Sequence, residues 1–144
     1  KSPEVLFGNG ESTLKPEFEA ILADFIPRYL RVLEAYKESI DEVRIEGHTS
    51  SEWGSETHPD DAYFFNMTLS QNRTRSVLNY TYFLSNLSSD QKAWIKSSFA
   101  AVGLASSRLK LNSDGSENKE KSRRVSFRVI TNADIQIRKI VEGL

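Results

Sequence analysis

The chain of 144 residues has no cysteine, which excludes disulfides, thiolate nucleophiles and cysteine-based zinc sites and leaves the redox compartment open. It has almost no charge imbalance: 19 Lys and Arg against 20 Asp and Glu leave a formal net charge of -1. A nucleic acid or an anionic membrane therefore finds no electrostatic footprint, and no nucleic-acid partner is expected. Long hydrophobic runs are missing too. The longest, Phe99 to Ala105, is far too short to span a bilayer, and no charged-then-apolar leader opens the chain. A start at Lys1 instead of Met reads as a soluble module cut from a longer protein whose anchor or signal lay upstream. There is no Gly-x-Ser-x-Gly elbow, phosphate loop, dinucleotide fingerprint or metalloprotease helix, so no enzyme and no cofactor are expected.

What is present suits one domain over residues 1–144, with a core at about 4–131 and a C-terminal helix at about 132–144. Glu4 to Phe7 reads as a short strand closed by the Gly8-Asn9-Gly10 turn. Pro16 suits the first turn of a helix whose apolar positions, Phe18, Ile21, Leu22, Phe25, Tyr29, Val32, Leu33 and Tyr36, keep helical spacing through Glu38. The stripe holds its phase across Pro27, which predicts one kinked helix. Asp41 to His48 alternates as a half-buried strand, with Val43 and Ile45 on one side and Arg44, Glu46 and His48 on the other.

Ser50 to Tyr63 lacks a sustained period and reads as a long polar loop, followed by a helix from near Thr68 to about Asn86. A shorter helix around Asp90 to Lys96, capped by Ser88 or Ser89, comes next. Phe99 to Ala105 reads as a buried strand, and Arg123 to Val129 as another with Val125, Phe127 and Val129 inward. The polar Asn112 to Ser122 stretch between them is a mobile loop by composition. Ala133 to Leu144 forms a last helix with Ile137, Ile140, Val141 and Leu144 as its apolar side. The order predicts an α/β (α+β) two-layer sandwich with helices on one face of a mixed sheet and an extra C-terminal helix.

On a helical wheel, Leu69, Arg73, Val77, Tyr80, Leu84 and Leu87 share one face, which puts a guanidinium in the middle of an apolar stripe. Burying an unpaired charge there costs several kcal/mol, on the order known for buried ions, so Arg73 needs a partner. Two readings are open. Either an internal salt bridge supplies that partner, or Arg73, Asn66 and the free amides of the helix's first turn bind a ligand carboxylate.

Three stretches, Ile45 to Gly54 (IEGHTSSEWG), Asn66 to Val77 (NMTLSQNRTRSV) and Ser122 to Val129 (SRRVSFRV), resemble the signatures of OmpA-like peptidoglycan-binding domains, also found in MotB-type and Pal-type modules. Leu6 to Glu17 is similar to the family's opening strand and turn, so the resemblance covers about Leu6 to Ile130, in a βαβαβ-type arrangement. Asn66, Leu69, Ser70 and Arg73 match the middle signature in spacing.

The resemblance implies noncatalytic binding of the diaminopimelate residue of a peptidoglycan stem peptide, in the periplasm, by a module that anchors a membrane-associated parent protein. Arg73 would hold a carboxylate, while Asn66 and the turn at Thr49 and Ser50 add hydrogen bonds beside Leu69. A homodimer is left open. The family's aspartate after Gly-x-Thr is replaced here by Ser50, and the connection to Asn66 is longer than usual in the family. Glu52, Asp60 and Asp61 are the candidates for the missing negative charge, Glu52 first because it is nearest the turn. Ser122 stands where the family commonly has asparagine, and Arg123 and Arg124 read as mainly structural, with Arg124 near Glu46 across the sheet's open face; the alternative for Arg123, left off the main site, is that it reaches the ligand turn. The alternative is a domain of the same fold with lost or altered wall binding, acting as a protein-interaction module through the 50–65 loop.

His48 and His58 with Glu52, Glu56, Asp60 and Asp61 match no established metal-ligand spacing, so no metal site is expected and a solvated acidic loop is the reading. Trp53, Tyr63, Phe64 and Phe65 either cover a sugar or peptide ligand or lock the loop to the domain, the latter being the reading for Phe64 and Phe65. Ser70 reads as a support of its helix's first turn.

Overall fold

The computed structural model describes residues 6–144, so the Glu4 and Val5 part of the first predicted strand lies outside the described residues. Its remainder stays off the sheet: Phe7 makes an isolated antiparallel bridge with Leu14 around a turn in which the Glu11 amide donates to the Gly8 carbonyl at 3.0 Å. Helix α1, Pro16–Glu34, follows with Pro16 in its first turn and Pro27 inside it. Its buried line is Phe18, Leu22, Ile26, Leu30 and Leu33. The line thus steps by four through Ile26 and Leu30, and Val32 and Tyr36, expected on the apolar stripe, are exposed. The helix ends before Tyr36, and a 3-10 turn at Lys37–Ser39 leads into the sheet.

Strand β1 spans Ile40–His48, β2 Phe99–Gly103 and β3 Arg124–Thr131. The sheet order is β2-β1-β3, with β1 parallel to β2 and antiparallel to β3. Val43 and Ile45 are buried in one core with α1, with Val77 of α2 (Pro59–Tyr82) and with Trp94 and Ile95 of α3 (Ser89–Ser98). Val125, Phe127 and Val129 pack against the same core from β3. Helix α3 opens with a capping box in which Ser88 and Gln91 bond reciprocally.

Helix α2 begins nine residues before the sequence expectation, at Pro59 instead of Thr68, and stops at Tyr82. Its start signals are ordinary ones: His58 caps through Nδ1, which accepts from the Asp60 amide at 3.2 Å, Pro59 occupies the first turn, and Asp60 and Asp61 face the helix dipole. The buried face of α2 is also rotated and more polar than the apolar stripe suggested, consisting of Ala62, Asn66, Ser70, Thr74, Val77 and Thr81. Small residues are required there because sheet and helix nearly touch. A Cβ on Gly47 would lie 2.8 Å from the Ser70 carbonyl oxygen, and one on Gly103 would lie 2.5 Å from the Gln71 amide nitrogen.

Ser70 therefore does not support a helix N-terminus. It lies mid-helix, where its Oγ donates to the Met67 carbonyl at 3.0 Å and accepts from the Ala105 amide at 3.1 Å, fastening α2 to the chain leaving β2. The polar stretch 112–122 is hydrogen-bonded in place instead of forming an unstructured loop. Leu111 bridges Glu117, the Asn118 amide donates to the Lys110 carbonyl at 2.8 Å, and a one-turn helix α4, Lys119–Ser122, leads into β3. The C-terminal helix α5, Asn132–Glu142, forms as expected, with Ile137, Ile140 and Val141 exposed on it and Leu144 exposed beyond it.

Candidate functional site

The turn after β1 is held from several sides. The Thr49 amide donates to the Ala105 carbonyl at 2.9 Å, and the Thr49 hydroxyl donates to the Ser50 carbonyl at 2.8 Å. The Ser51 amide and hydroxyl both donate to the Glu117 carboxylate, at 2.9 and 2.5 Å. Asn66 Nδ2 donates to the Glu52 carbonyl at 3.1 Å, tying the following residues to α2. The expectation that amides around Thr49 serve a ligand thus narrows. The Thr49 and Ser51 amides are spent internally, while the buried Ser50 amide has no hydrogen-bond acceptor among the described residues.

Beside this turn opens a cavity of about 610 Å³ with Arg73 and Leu69 of α2 in its wall, closed on the far side by the Phe7 to Gly10 turn. Thr49, Ser50, Glu52 and Asn66 line it as well, so all six sequence-derived site residues meet in one place. Asp60 and Asp61 do not line it; they stand in the first turn of α2. Arg73 is the central group. Its Nε donates to the Glu11 carbonyl at 2.8 Å, one terminal nitrogen donates to the Gly8 carbonyl at 3.1 Å, and the guanidinium stacks over the Phe7 ring at 4.7 Å. No carboxylate pairs with it among the described residues, so the internal salt bridge that would make Arg73 purely structural is not found there. Burial first, and the neighbouring Arg123 charge second, lower its pKa to about 10.

The early start of α2 changes the origin of the positive potential. Arg73 lies fourteen residues past Pro59, roughly 21 Å along the axis, so the first-turn amides of α2 do not reach this cavity. The second positive group is instead Arg123, which lines the cavity while its Nε donates to the Lys119 carbonyl at 3.2 Å. Sequence reasoning left Arg123 outside the site although it stands in one of the matched signatures. Glu117, which clamps the turn, was not legible at all: it comes from a stretch of polar composition with no periodicity. Among the described residues the only carboxylate lining the cavity is that of Glu52, half-exposed and 3.3 Å from Lys119 Nζ.

The face of the sheet opposite the core differs from the open surface expected for it. Glu46 and His48 are 5% and 4% exposed. Glu46 lies 3.9 Å from Arg44, 3.8 Å from Arg128 and 3.8 Å from His48. Arg124 makes no ion pair within 4 Å of Glu46 among the described residues, because the register sets it opposite His48 and its guanidinium donates to the Ser122 and Arg108 carbonyls, but the Glu46 charge still acts on it through space. Burial, followed by the Arg124 charge, lowers the His48 pKa to about 4. Among the described residues no group of three His, Asp or Glu side chains is placed to hold a metal ion.

Comparison with known proteins places residues 6–126 within the description "OmpA family". The chain is 57% identical over 142 residues, 99% of its length, to the Zorya protein ZorB of Escherichia coli, and it spans 60% of the length of that relative. Among solved structures, the periplasmic domain of Helicobacter pylori MotB aligns with a TM-score of 0.61 at 16% identity, over 99% of this chain and 82% of that one. The cell wall anchor of the T6SS from Pseudomonas aeruginosa aligns with a TM-score of 0.53 at 19% identity, over 91% and 78% of the two chains. At such identities these two structures establish a shared fold.

Proposed function

The chain belongs to the OmpA family, and from that premise we propose that it binds cell-wall peptidoglycan without catalysis, holding the diaminopimelate of the stem peptide and tethering a membrane-associated parent protein in the periplasm. The observation that carries this reading is Arg73: a largely buried guanidinium, fixed by two carbonyls and a ring, facing a cavity with no carboxylate of the described chain against it. A buried cation without an anion favours a ligand that brings one.

In this reading Arg73 takes the ligand carboxylate, Arg123 adds positive potential, and the Ser50 amide donates a hydrogen bond. Asn66 acts by holding the Glu52 carbonyl and hence the turn, and Leu69 supplies apolar wall. The ligand ammonium goes to Glu52, whose exposed contact with Lys119 is worth little and opens readily. This makes Glu52 the substitute for the family aspartate.

A second reading, protein interaction through residues 50–65, is favoured by the exposure of Phe64 and Phe65 on the first half of α2. Co-sedimentation of the purified chain with diaminopimelate-type peptidoglycan separates the two. Wall binding predicts that the wild type pellets, that Arg73→Lys and Glu52→Gln variants of unchanged circular dichroism pellet less, and that Asp60→Asn pellets like wild type. A wild-type chain that stays in the supernatant overturns the wall reading.

A further inference from the structure

Trp53 lines the cavity beside Glu52 and Gly54, yet no part of the carboxylate and ammonium recognition described above uses it. It remains 38% exposed, and its ring is 5.3 Å from that of Phe65 at an angle of 37°, with Phe65 itself 47% exposed. The pair is a tilted two-ring shelf reaching from the cavity wall toward solvent. Its position is set by the backbone: the Glu52 carbonyl is tied to Asn66, and Ser51 is clamped by Glu117. Every other residue from Ser50 to Thr57 is polar or glycine. An apolar ring held in an otherwise polar loop at the lip of a cavity suits a ligand with one apolar face and a hydrophilic rim. A pyranose ring has that character, with its axial C–H bonds on one face and hydroxyls around the edge. A protein partner would need a far larger apolar surface than two half-exposed rings provide. The cavity, at about 610 Å³, is also in the size range of ligands larger than one amino acid.

We propose that Trp53, backed by Phe65, is a saccharide subsite that stacks a sugar ring of the glycan strand next to the stem peptide held at Arg73. The proposal rests on the peptidoglycan reading of the cavity and adds a glycan contact to it. Recognition is then of the junction between peptide and sugar, which tells attached stem peptides from free fragments.

The test compares two soluble probes by calorimetry, a diaminopimelate-containing stem peptide and the same peptide linked to its N-acetylated disaccharide. Wild type is expected to bind the disaccharide-peptide about three- to tenfold more tightly, the gain of one aromatic face. Trp53→Ala should bind the two probes equally, and Trp53→Phe should recover part of the difference. Acrylamide quenching gives a second readout, since Trp53 is exposed and the only other tryptophan, Trp94, is buried. The disaccharide-peptide should shield the quenchable fraction and the bare peptide should not. If both probes bind wild type equally, or if Trp53→Ala keeps the preference, the saccharide subsite is overturned while the peptide site stands. If neither probe binds, both readings fall.

Discussion

The guanidinium of Arg73 lies over the ring of Phe7 at 4.7 Å, so among the described residues the aromatic contact of this cation comes from the turn that closes its cavity. Together with the carbonyls of Gly8 and Glu11, Phe7 holds the planar fork in place beside the cavity. The same side chain thus joins the N-terminal turn to α2 and forms the positive floor of the site.

Arg73→Lys separates those two roles. Lysine keeps the charge and loses the fork, so affinity for a diaminopimelate peptide is expected to drop by about 1.5–3 kcal/mol, the worth of a charge-assisted hydrogen bond. Arg73→Met should also cost stability, about 1–3 kcal/mol, by removing the donors to the Gly8 and Glu11 carbonyls. Calorimetric titration and urea unfolding measure the two effects. Wild-type affinity in Arg73→Lys would show that a point charge suffices.

Gly47→Ala is expected to lower stability by about 1–3 kcal/mol, because the new methyl would sit 2.8 Å from both the Ser70 carbonyl oxygen and Thr74 Cγ2. Gly54→Ala, whose Cβ would meet only the Thr57 hydroxyl at 3.1 Å, should cost less. Denaturant midpoints rank the two, and equal midpoints would mean that the helix backs away from the sheet at little cost.

His48 makes stability depend on pH. Its folded pKa of about 4 lies below the ordinary 6.5, so the unfolded chain binds the proton more readily. Stability from this group is therefore complete above pH 6.5 and is lost as pH falls toward 4, by no more than about 1.4 kcal/mol per pH unit. The groups acting on the imidazole are Glu46 on its own strand and the cations Arg124, Arg108 and Lys110. Unfolding free energies between pH 7 and 4 should show a flatter profile for His48→Gln than for wild type. Parallel profiles would mean that the imidazole protonates in the folded state.

Glu117→Ala should loosen the turn without unfolding the domain, since both bonds it accepts come from Ser51 and are exposed. Amide exchange at Ser51 is expected to accelerate by about tenfold, while global stability changes by about 1 kcal/mol or less. Hydrogen-exchange spectra check this. Unchanged protection at Ser51 would show that the Ala105 and Asn66 contacts hold the turn unaided.

Much of this architecture was legible because it depends on short-range periodicity. The inward Val43 and Ile45 of β1, the apolar inward positions of β3 and the Ser88 cap are local patterns, and the structure repeats them, whereas the outward side of β1 expected at Glu46 and His48 is buried as well. The start of α2 was equally local, in His58, Pro59 and Asp60, but the polar composition of Ser50 to Tyr63 hid it. The buried face of α2 was misplaced for a different reason. Wheel reasoning rewards large apolar residues, whereas glycines at 47 and 103 bring the sheet so close that only Ser70 and Thr74 fit.

The sequence by itself determined a mixed α+β fold and which residue types are proposed for a carboxylate-binding site, since spacing along one helix is enough to align Asn66, Leu69 and Arg73. Only the tertiary structure decided which groups accompany them. Arg123, Phe7 and Trp53 reach the cavity from segments far apart in the chain, Glu117 reaches the turn beside it through Ser51, and Asp60 and Asp61 are carried away from it by the added turns of α2. Such choices follow from packing and register between distant elements, and these are absent from any local window of residues.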